Sequence, residues 1–211
     1  LTIINKDKCR PDCFGGPCHP FYLSGKPGWF KDKYESRGFG DSAKYLTRRE
    51  KISGSNMVWE RKCLIDLGMF DVNLGVVKNE LKLGEETAAI EKLWEIKGEP
   101  RLFYSPDLII YHLVPDYKMT VAYRLKRKFA QGQYNAYMGD TKKGVALVGN
   151  IFRSLLLLAK LLARFLMKIF SHSHWQNWLV EDGGMVAESI GRFLGFLGIR
   201  PTVQNYSYLE R

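Results

Sequence analysis

At 211 residues the chain is long enough for one domain with a proper core, or for a domain carrying an appended helical segment. Its apolar fraction of 45% and charged fraction of 26% exclude disorder along most of the length. The net charge of +10 is concentrated: from Lys118 to Lys168 eleven Lys or Arg residues stand against a single acid, Asp140, which points to an anionic partner such as nucleic acid, a phosphorylated substrate or an anionic lipid surface.

Taken in chain order, the four cysteines come first. Cys9, Cys13, Cys18 and Cys63 have neither the density of a disulfide scaffold nor the paired two-residue spacings of a zinc site, so they are expected to be reduced and cytosolic. Cys9, Cys13 and Cys18 do cluster with His19, which leaves a metal site as the alternative to small thiols buried in and beside a strand. That strand is expected over Asp12 to Tyr22, passing through Gly15-Gly16-Pro17 where backbone can approach closely. A loop rich in Gly, Lys and aromatic residues follows and contains Trp29 and Phe30. Gly38-Phe39-Gly40-Asp41-Ser42-Ala43 follows a charged stretch instead of a buried strand, so it is not a dinucleotide-binding loop.

Ser53 to Trp59 reads as a second strand, and Glu60 to Leu67 as a short helix that Gly68 ends in the left-handed conformation. Glu85 to Lys97 is the clearest helix of the first half. Ala89, Ile90, Leu93, Trp94 and Ile96 give it an apolar face, its first turn is acidic, and Gly98 with Pro100 stops it. Arg101 to Tyr104 and Leu108 to His112 follow as short strands around Ser105-Pro106-Asp107.

Near Asp116 the character changes, so residues 1–117 are expected to form a mixed α/β domain and residues 118–211 a set of basic, amphipathic helices. The first of these starts at Thr120 and runs toward Met138. Val145 to Phe170 is strongly apolar, yet Arg153, Lys160, Arg164 and Lys168 interrupt it well short of the roughly 20 apolar residues of a spanning helix. At about 100° per residue these four fall within a sector of roughly 80°, a cationic stripe beside a wide Leu and Phe face. Such a helix lies in a membrane interface; the alternative is a core helix with a solvated stripe. Met185 to Leu197 is a further apolar segment with Glu188 and Arg192 spaced as a helical ion pair. The sequon Asn205-Tyr206-Ser207 stands without any other secretory feature and is taken as chance.

Two features could carry chemistry. Gly84-Glu85-Glu86-Thr87 sets adjacent carboxylates at a helix start, where acids complement the helix dipole or where one could serve as a general base. His112 ends a β-like run, and strand ends feeding loops are where α/β folds keep their sites; a hydrogen-bonded structural histidine is the alternative.

The order and spacing of Gly54-Ser55-Asn56-Met57, Arg61, Gly68-Met69-Phe70-Asp71, Leu74-Gly75, Gly84-Glu85-Glu86-Thr87, Tyr104-Ser105-Pro106 and Tyr111-His112-Leu113-Val114-Pro115 resemble family-two glycosyltransferases. With Gly15-Gly16-Pro17, Trp29-Phe30 and Gln131-Gly132, the resemblance covers roughly Asp12 to Gln133. It implies a GT-A fold, the Rossmann-like nucleotide-diphospho-sugar transferase architecture, and transfer of a sugar to an acceptor hydroxyl with inversion. It further implies Glu86 as catalytic base with Glu85 as neighbour and fallback, although the family more often has Asp at the second position. Gly54, Ser55, Asn56 and Trp29 would contact substrate. His112 would help hold a divalent metal, Mg or Mn, or the leaving diphosphate.

The implied partners are a nucleotide-sugar donor, a glycan or lipid-linked acceptor and an anionic membrane surface, with the protein peripheral or monotopic on the cytoplasmic face of the cell membrane and acting in cell-surface glycan or polysaccharide synthesis. The chain contains no Asp-x-Asp and opens at Leu1, so the expectation is an acceptor-side portion of a longer enzyme, inactive in isolation. The alternative is a non-catalytic membrane-surface module in which both acids and the histidine are structural. Nucleic-acid binding by Arg124, Lys126, Arg127 and Lys128 is set aside, because these charges alternate poorly with stacking aromatics and adjoin an apolar helix.

Overall fold

A computed structural model describes residues 10–77, 80–139 and 145–203; Cys9 and the Asn205-Tyr206-Ser207 sequon lie outside them. In chain order these residues form β1 (Cys13–Gly15), β2 (Cys18–Phe21), β3 (Lys44–Tyr45), β4 (Met57–Trp59), α1 (Arg61–Asp66), β5 (Val76–Val77), β6 (Glu80–Leu81), α2 (Glu85–Lys97), β7 (Leu102–Tyr104), β8 (Ile110–Leu113), α3 (Val121–Gly139), α4 (Val145–Met167), α5 (Trp175–Trp178) and α6 (Gly184–Phe196). The fold is mixed α/β, and it divides into two compact units. Of the described residues, one unit comprises those up to Leu23, in Lys31–Val72 and in Glu85–Val114; the other comprises those in Ser24–Phe30, in Asn73–Gly84 and from Pro115 on. Two segments from within residues 1–117 thus belong to the helical unit.

The first unit is organised by β1. It pairs antiparallel with β4 and parallel with β7, and β3 closes the far edge in the order β3-β7-β1-β4. The run expected as one strand from Asp12 is two, because Gly16-Pro17 interrupts it. Proline has no N–H for a ladder, and a Cβ at Gly16 would lie 2.3 Å from the carbonyl oxygen of Leu108 and 2.6 Å from that of Ser105. Beyond this crossing the chain pairs in parallel with β8 as a separate two-stranded sheet.

The core of this unit gathers Cys13, Leu46, Ile52, Cys63, Leu67, Ile90, Leu93, Leu102 and Tyr104. Burial pushes the thiols of Cys13, Cys18 and Cys63 upward, as expected of small packing residues rather than nucleophiles. Among the described residues no group of three or more His, Cys, Asp and Glu could hold a metal ion. Buried Asp12 is compensated by an ion pair with Lys97 and a 2.8 Å hydrogen bond from the Arg101 amide. On α2, Ala89, Ile90 and Leu93 are buried, whereas Ile96 in the last turn is exposed.

Helix α1 begins where Glu60 accepts from the amides of Lys62 and Cys63, satisfying two donors of the first turn. It ends at Gly68, at φ +79°, as the sequence predicts. Met69 continues in the left-handed region at φ +65°, with its amide donating to the Leu64 carbonyl at 3.0 Å.

In the second unit α6 packs against α3 through glycines. A Cβ at Gly191 would stand 2.2 Å from the Phe129 carbonyl oxygen, and one at Gly132 would stand 2.0 Å from that of Glu188, so the close backbone approach requires both. Glu188 joins Lys128 at 3.0 Å, Asn135 at 3.1 Å and, four residues on, Arg192 at 3.5 Å. Between α5 and α6 the helix widens into a π turn over Leu179–Gly183, a conformation common where a helix has a local task. That turn buries Asp182 between Arg164 Nε at 3.0 Å and His172 Nε2 at 2.7 Å. Phe165 stacks on Trp178 at 4.1 Å, and the Trp178 indole donates to the Phe165 carbonyl.

These contacts use one side of α4. Val148, Phe152, Leu156, Leu166 and Met167 remain exposed on it, and Phe170 just beyond is 94% exposed. Among the described residues no helix is long and apolar enough to cross a membrane.

Candidate functional site

Two of the sequence-predicted elements meet within the first unit. The chain enters β4 through a 3-10 turn at Gly54–Asn56, and α2 starts with Glu85 and Glu86 in its first turn. The Glu86 side chain lies directly over Gly54. A Cβ at residue 54 would come within 2.1 Å of Glu86 Oε1 and 2.5 Å of its Cγ, so glycine alone leaves room for the carboxylate there.

The turn itself is pinned from below. Asn56 Nδ2 donates to the carbonyls of Pro17 at 3.1 Å and Leu108 at 2.6 Å, tying the Gly54–Asn56 turn to both strand crossings. Gly15 lets the backbone pass under it, since a Cβ there would meet the Asn56 carbonyl oxygen at 2.0 Å. Gly15, Gly54 and Asn56 therefore build one platform, and the carboxylate of Glu86 rests on its upper face.

Above this platform opens a cleft of about 880 Å³. Gly54, Ser55, Glu85 and Glu86 line it together. Its remaining wall is Met57, Val58 and Trp59 of β4, Arg61, Leu64 and Ile65 of α1, and Met69 and Phe70 beyond it. Trp59 and Phe70 meet edge to face with ring centroids 6.4 Å apart. The size is that of a small-molecule site, and a carboxylate pair at an apolar wall can take a proton from a hydroxyl held beside it.

Of the sequence-predicted site residues, four line this cleft and three do not. Asn56 sits in the same turn, with its amide nitrogen engaged below. His112 lies on β8, half-buried and in register with Pro20 of β2. Trp29 belongs to the second unit, where it is buried and packs edge-on to Phe30, whose ring has the Arg124 guanidinium 4.7 Å from its centroid. A divalent metal finds only His112 of the proposed donors, and with no cluster of three ligating side chains among the described residues these residues do not make up a metal site by themselves.

The wall residues were given no role by sequence reasoning, although a signal existed. Arg61, Leu64 and Ile65 stand at i, i+3 and i+4 and so share one face of α1. What their spacing could not tell is that this face looks into a cleft rather than into the core.

The chain is 24% identical over 139 residues, 62% of its length, to the glucosyl-dolichyl phosphate glucuronosyltransferase of Haloferax volcanii. That match takes in 43% of the relative, so the chain spans less than half the length of the curated protein it matches. No family model matches, and no solved structure matches.

Proposed function

We propose that the chain is the acceptor-side part of an inverting glycosyltransferase of GT-A fold, resembling family two, that passes a sugar from a nucleoside-diphosphate donor to an acceptor hydroxyl. The observation that carries this reading is the seating of Glu86 on Gly54, which joins two sequence-distant motifs of the resemblance in one cleft. The similarity to a glucuronosyltransferase supports it.

In this reading the acceptor hydroxyl lies in the cleft with its proton directed to Glu86. As the proton passes to the carboxylate, the oxygen attacks the anomeric carbon from the face opposite the diphosphate; the bond from that carbon to the diphosphate oxygen breaks, and the configuration inverts. Glu85 is the neighbouring carboxylate and takes the role if Glu86 does not. Ser55 and Asn56 hold substrate and turn respectively. His112 would supply one ligand to a divalent ion, Mg or Mn, whose other ligands would come from outside the described residues or from the donor's diphosphate.

The same reading puts α4 on the cytoplasmic face of an anionic membrane, where glycan or lipid-linked acceptors for surface polysaccharide are assembled. Its exposed apolar side chains and flanking cations support peripheral or monotopic attachment. Of the four predicted cations, Arg164 is paired with Asp182, so Arg153, Lys160 and Lys168 carry the electrostatic part.

A panel of nucleoside-diphosphate sugars, supplied to the full-length parent with membrane extract as acceptor, tests the reaction. We expect one donor class to release nucleoside diphosphate and label the extract. Gly54→Ala should lower that rate about a hundredfold at unchanged fold, because displacing Glu86 by an ångström misaligns the proton acceptor. A full-length parent that turns over no donor, or a Gly54→Ala variant of wild-type rate, would refute the proposal.

A further inference from the structure

Trp59 closes β4, the strand at one edge of the sheet β3-β7-β1-β4, and its ring both packs on the core of the first unit and lines the cleft. Its indole nitrogen is buried, yet no acceptor meets it among the described residues. A buried donor left unmatched forfeits the hydrogen bond it makes with water in the unfolded chain, so folded proteins retain few of them. Trp178 shows the ordinary arrangement, donating to the Phe165 carbonyl at 2.8 Å. Trp94 shares the lack of an acceptor, but its ring packs on the core and is not part of the cleft wall. Of the two, Trp59 alone can find its acceptor in a molecule that enters the cleft.

The aromatic neighbour of Trp59 in the cleft wall is Phe70. The two rings meet edge to face with 84° between their planes. Phe70 is carried by a surface turn, where Met69 before it and Val72 beyond it are exposed. The turn opens with two consecutive left-handed residues, Gly68 at φ +79° and Met69 at φ +65°. That conformation is unstrained at glycine and costs energy at methionine. Rotation at this pair gives up the Met69 amide bond to Leu64 and releases the strain at Met69, so the two changes offset each other. A few loop residues of this kind are enough to make a hinge.

From these observations we infer that Trp59 binds the acceptor: Phe70 swings away about Gly68-Met69 as the acceptor enters, and the indole N–H donates to one of its oxygens. This rests on the proposed glycosyl transfer and adds a specificity-determining residue to it. A molecule of the same size without an oxygen at that place would leave the indole unmatched, so Trp59 selects for an oxygen at one fixed point of the acceptor.

The test is NMR of the full chain labelled with heavy nitrogen in its indole rings, with Trp59→Phe and Trp94→Phe identifying the two signals. Without ligand both indole protons should exchange slowly with water. Phe70→Ala should speed the exchange at Trp59 about tenfold and leave Trp94 unchanged; should that variant lower the melting temperature, Phe70→Leu repeats the test. A panel of methyl glycosides then serves as the probe. At least one should move the Trp59 indole proton downfield, as gaining an acceptor does, and leave that of Trp94 in place. Replacing the Trp59 indole by benzothiophene, which keeps the ring shape and has sulfur in place of N–H, should weaken that glycoside about tenfold at an unchanged melting temperature. Rapid exchange at Trp59 in the wild type, exchange that neither change at Phe70 affects, no glycoside that moves the signal, or wild-type affinity in the benzothiophene protein would each overturn the inference. The probes need neither donor nor turnover. A responsive Trp59 signal in a protein whose parent transfers nothing therefore counts against the proposed reaction alone, and transfer with an unresponsive signal counts against Trp59 alone.

Discussion

Glu86→Gln, in the full-length parent, should lower turnover by about two to four orders of magnitude while donor binding stays at the wild-type level. The substitution keeps the size and shape of the side chain, so it still fits over Gly54, where any added carbon would clash at 2.1 Å. What it removes is the capacity to take a proton. Glu85 lines the same cleft and sets the internal control: Glu85→Gln should be the milder of the two. A wild-type rate in Glu86→Gln together with an inactive Glu85→Gln would hand the base to Glu85. Wild-type rates in both would remove the carboxylates from the chemistry and leave them as residues that begin a helix.

Attachment to vesicles containing anionic lipid should fall about a hundredfold when Arg153, Lys160 and Lys168 are all changed to Gln. Each basic residue near such a surface contributes on the order of 1 kcal/mol, and the three stand beside an apolar side of α4 that nothing else among the described residues covers. Arg164 stays in this variant, because removing it would leave Asp182, which is 2% exposed, without its strongest counter-charge and would test folding rather than binding. Raising salt should weaken the wild type toward the variant. Co-sedimentation measures both. Equal attachment of the two proteins to anionic and neutral vesicles would remove the electrostatic contribution, and no attachment by either would assign the exposed side of α4 to another partner.

Local signals in the sequence located elements well where the cause is itself local. Helix α2 begins and ends where its acidic first turn, its apolar spacing and Gly98 place it, and Gly68 stops the helix before it. Other features depend on partners far away in sequence. That Gly16-Pro17 splits a strand depends on the carbonyls of Ser105 and Leu108, some ninety residues on. Ser24–Phe30 and Asn73–Gly84 join the helical unit through contacts no window of sequence contains, such as the Phe30 ring against Arg124 and the Leu81 amide donating to the Val203 carbonyl.

The site shows the same division. Adjacent acids and a Gly-Ser-Asn turn were visible as separate motifs, but the reason for glycine at residue 54 is a carboxylate thirty-two residues away, which only the folded chain brings over it. Asn56 is legible as part of the motif it shares with Gly54; that its nitrogen fastens two loops beneath the cleft is not, because Pro17 and Leu108 are brought to it only by the fold. A cationic stripe on α4 was likewise legible from helical spacing, whereas the engagement of Arg164 by Asp182 follows from a π turn that no local pattern announces.

The most direct measurement replaces the nucleophile. A thiol, with an ordinary pKa near 8.5, ionises without help near neutral pH to an extent that a sugar hydroxyl does not, so an acceptor carrying a thiol in place of the reacting hydroxyl needs no base. With the hydroxyl acceptor the wild type should outpace Glu86→Gln by about two to four orders of magnitude, and with the thiol acceptor by no more than about tenfold. A rate ratio that is the same for both acceptors would contradict the account, because Glu86 would then be contributing something other than removal of the acceptor's proton.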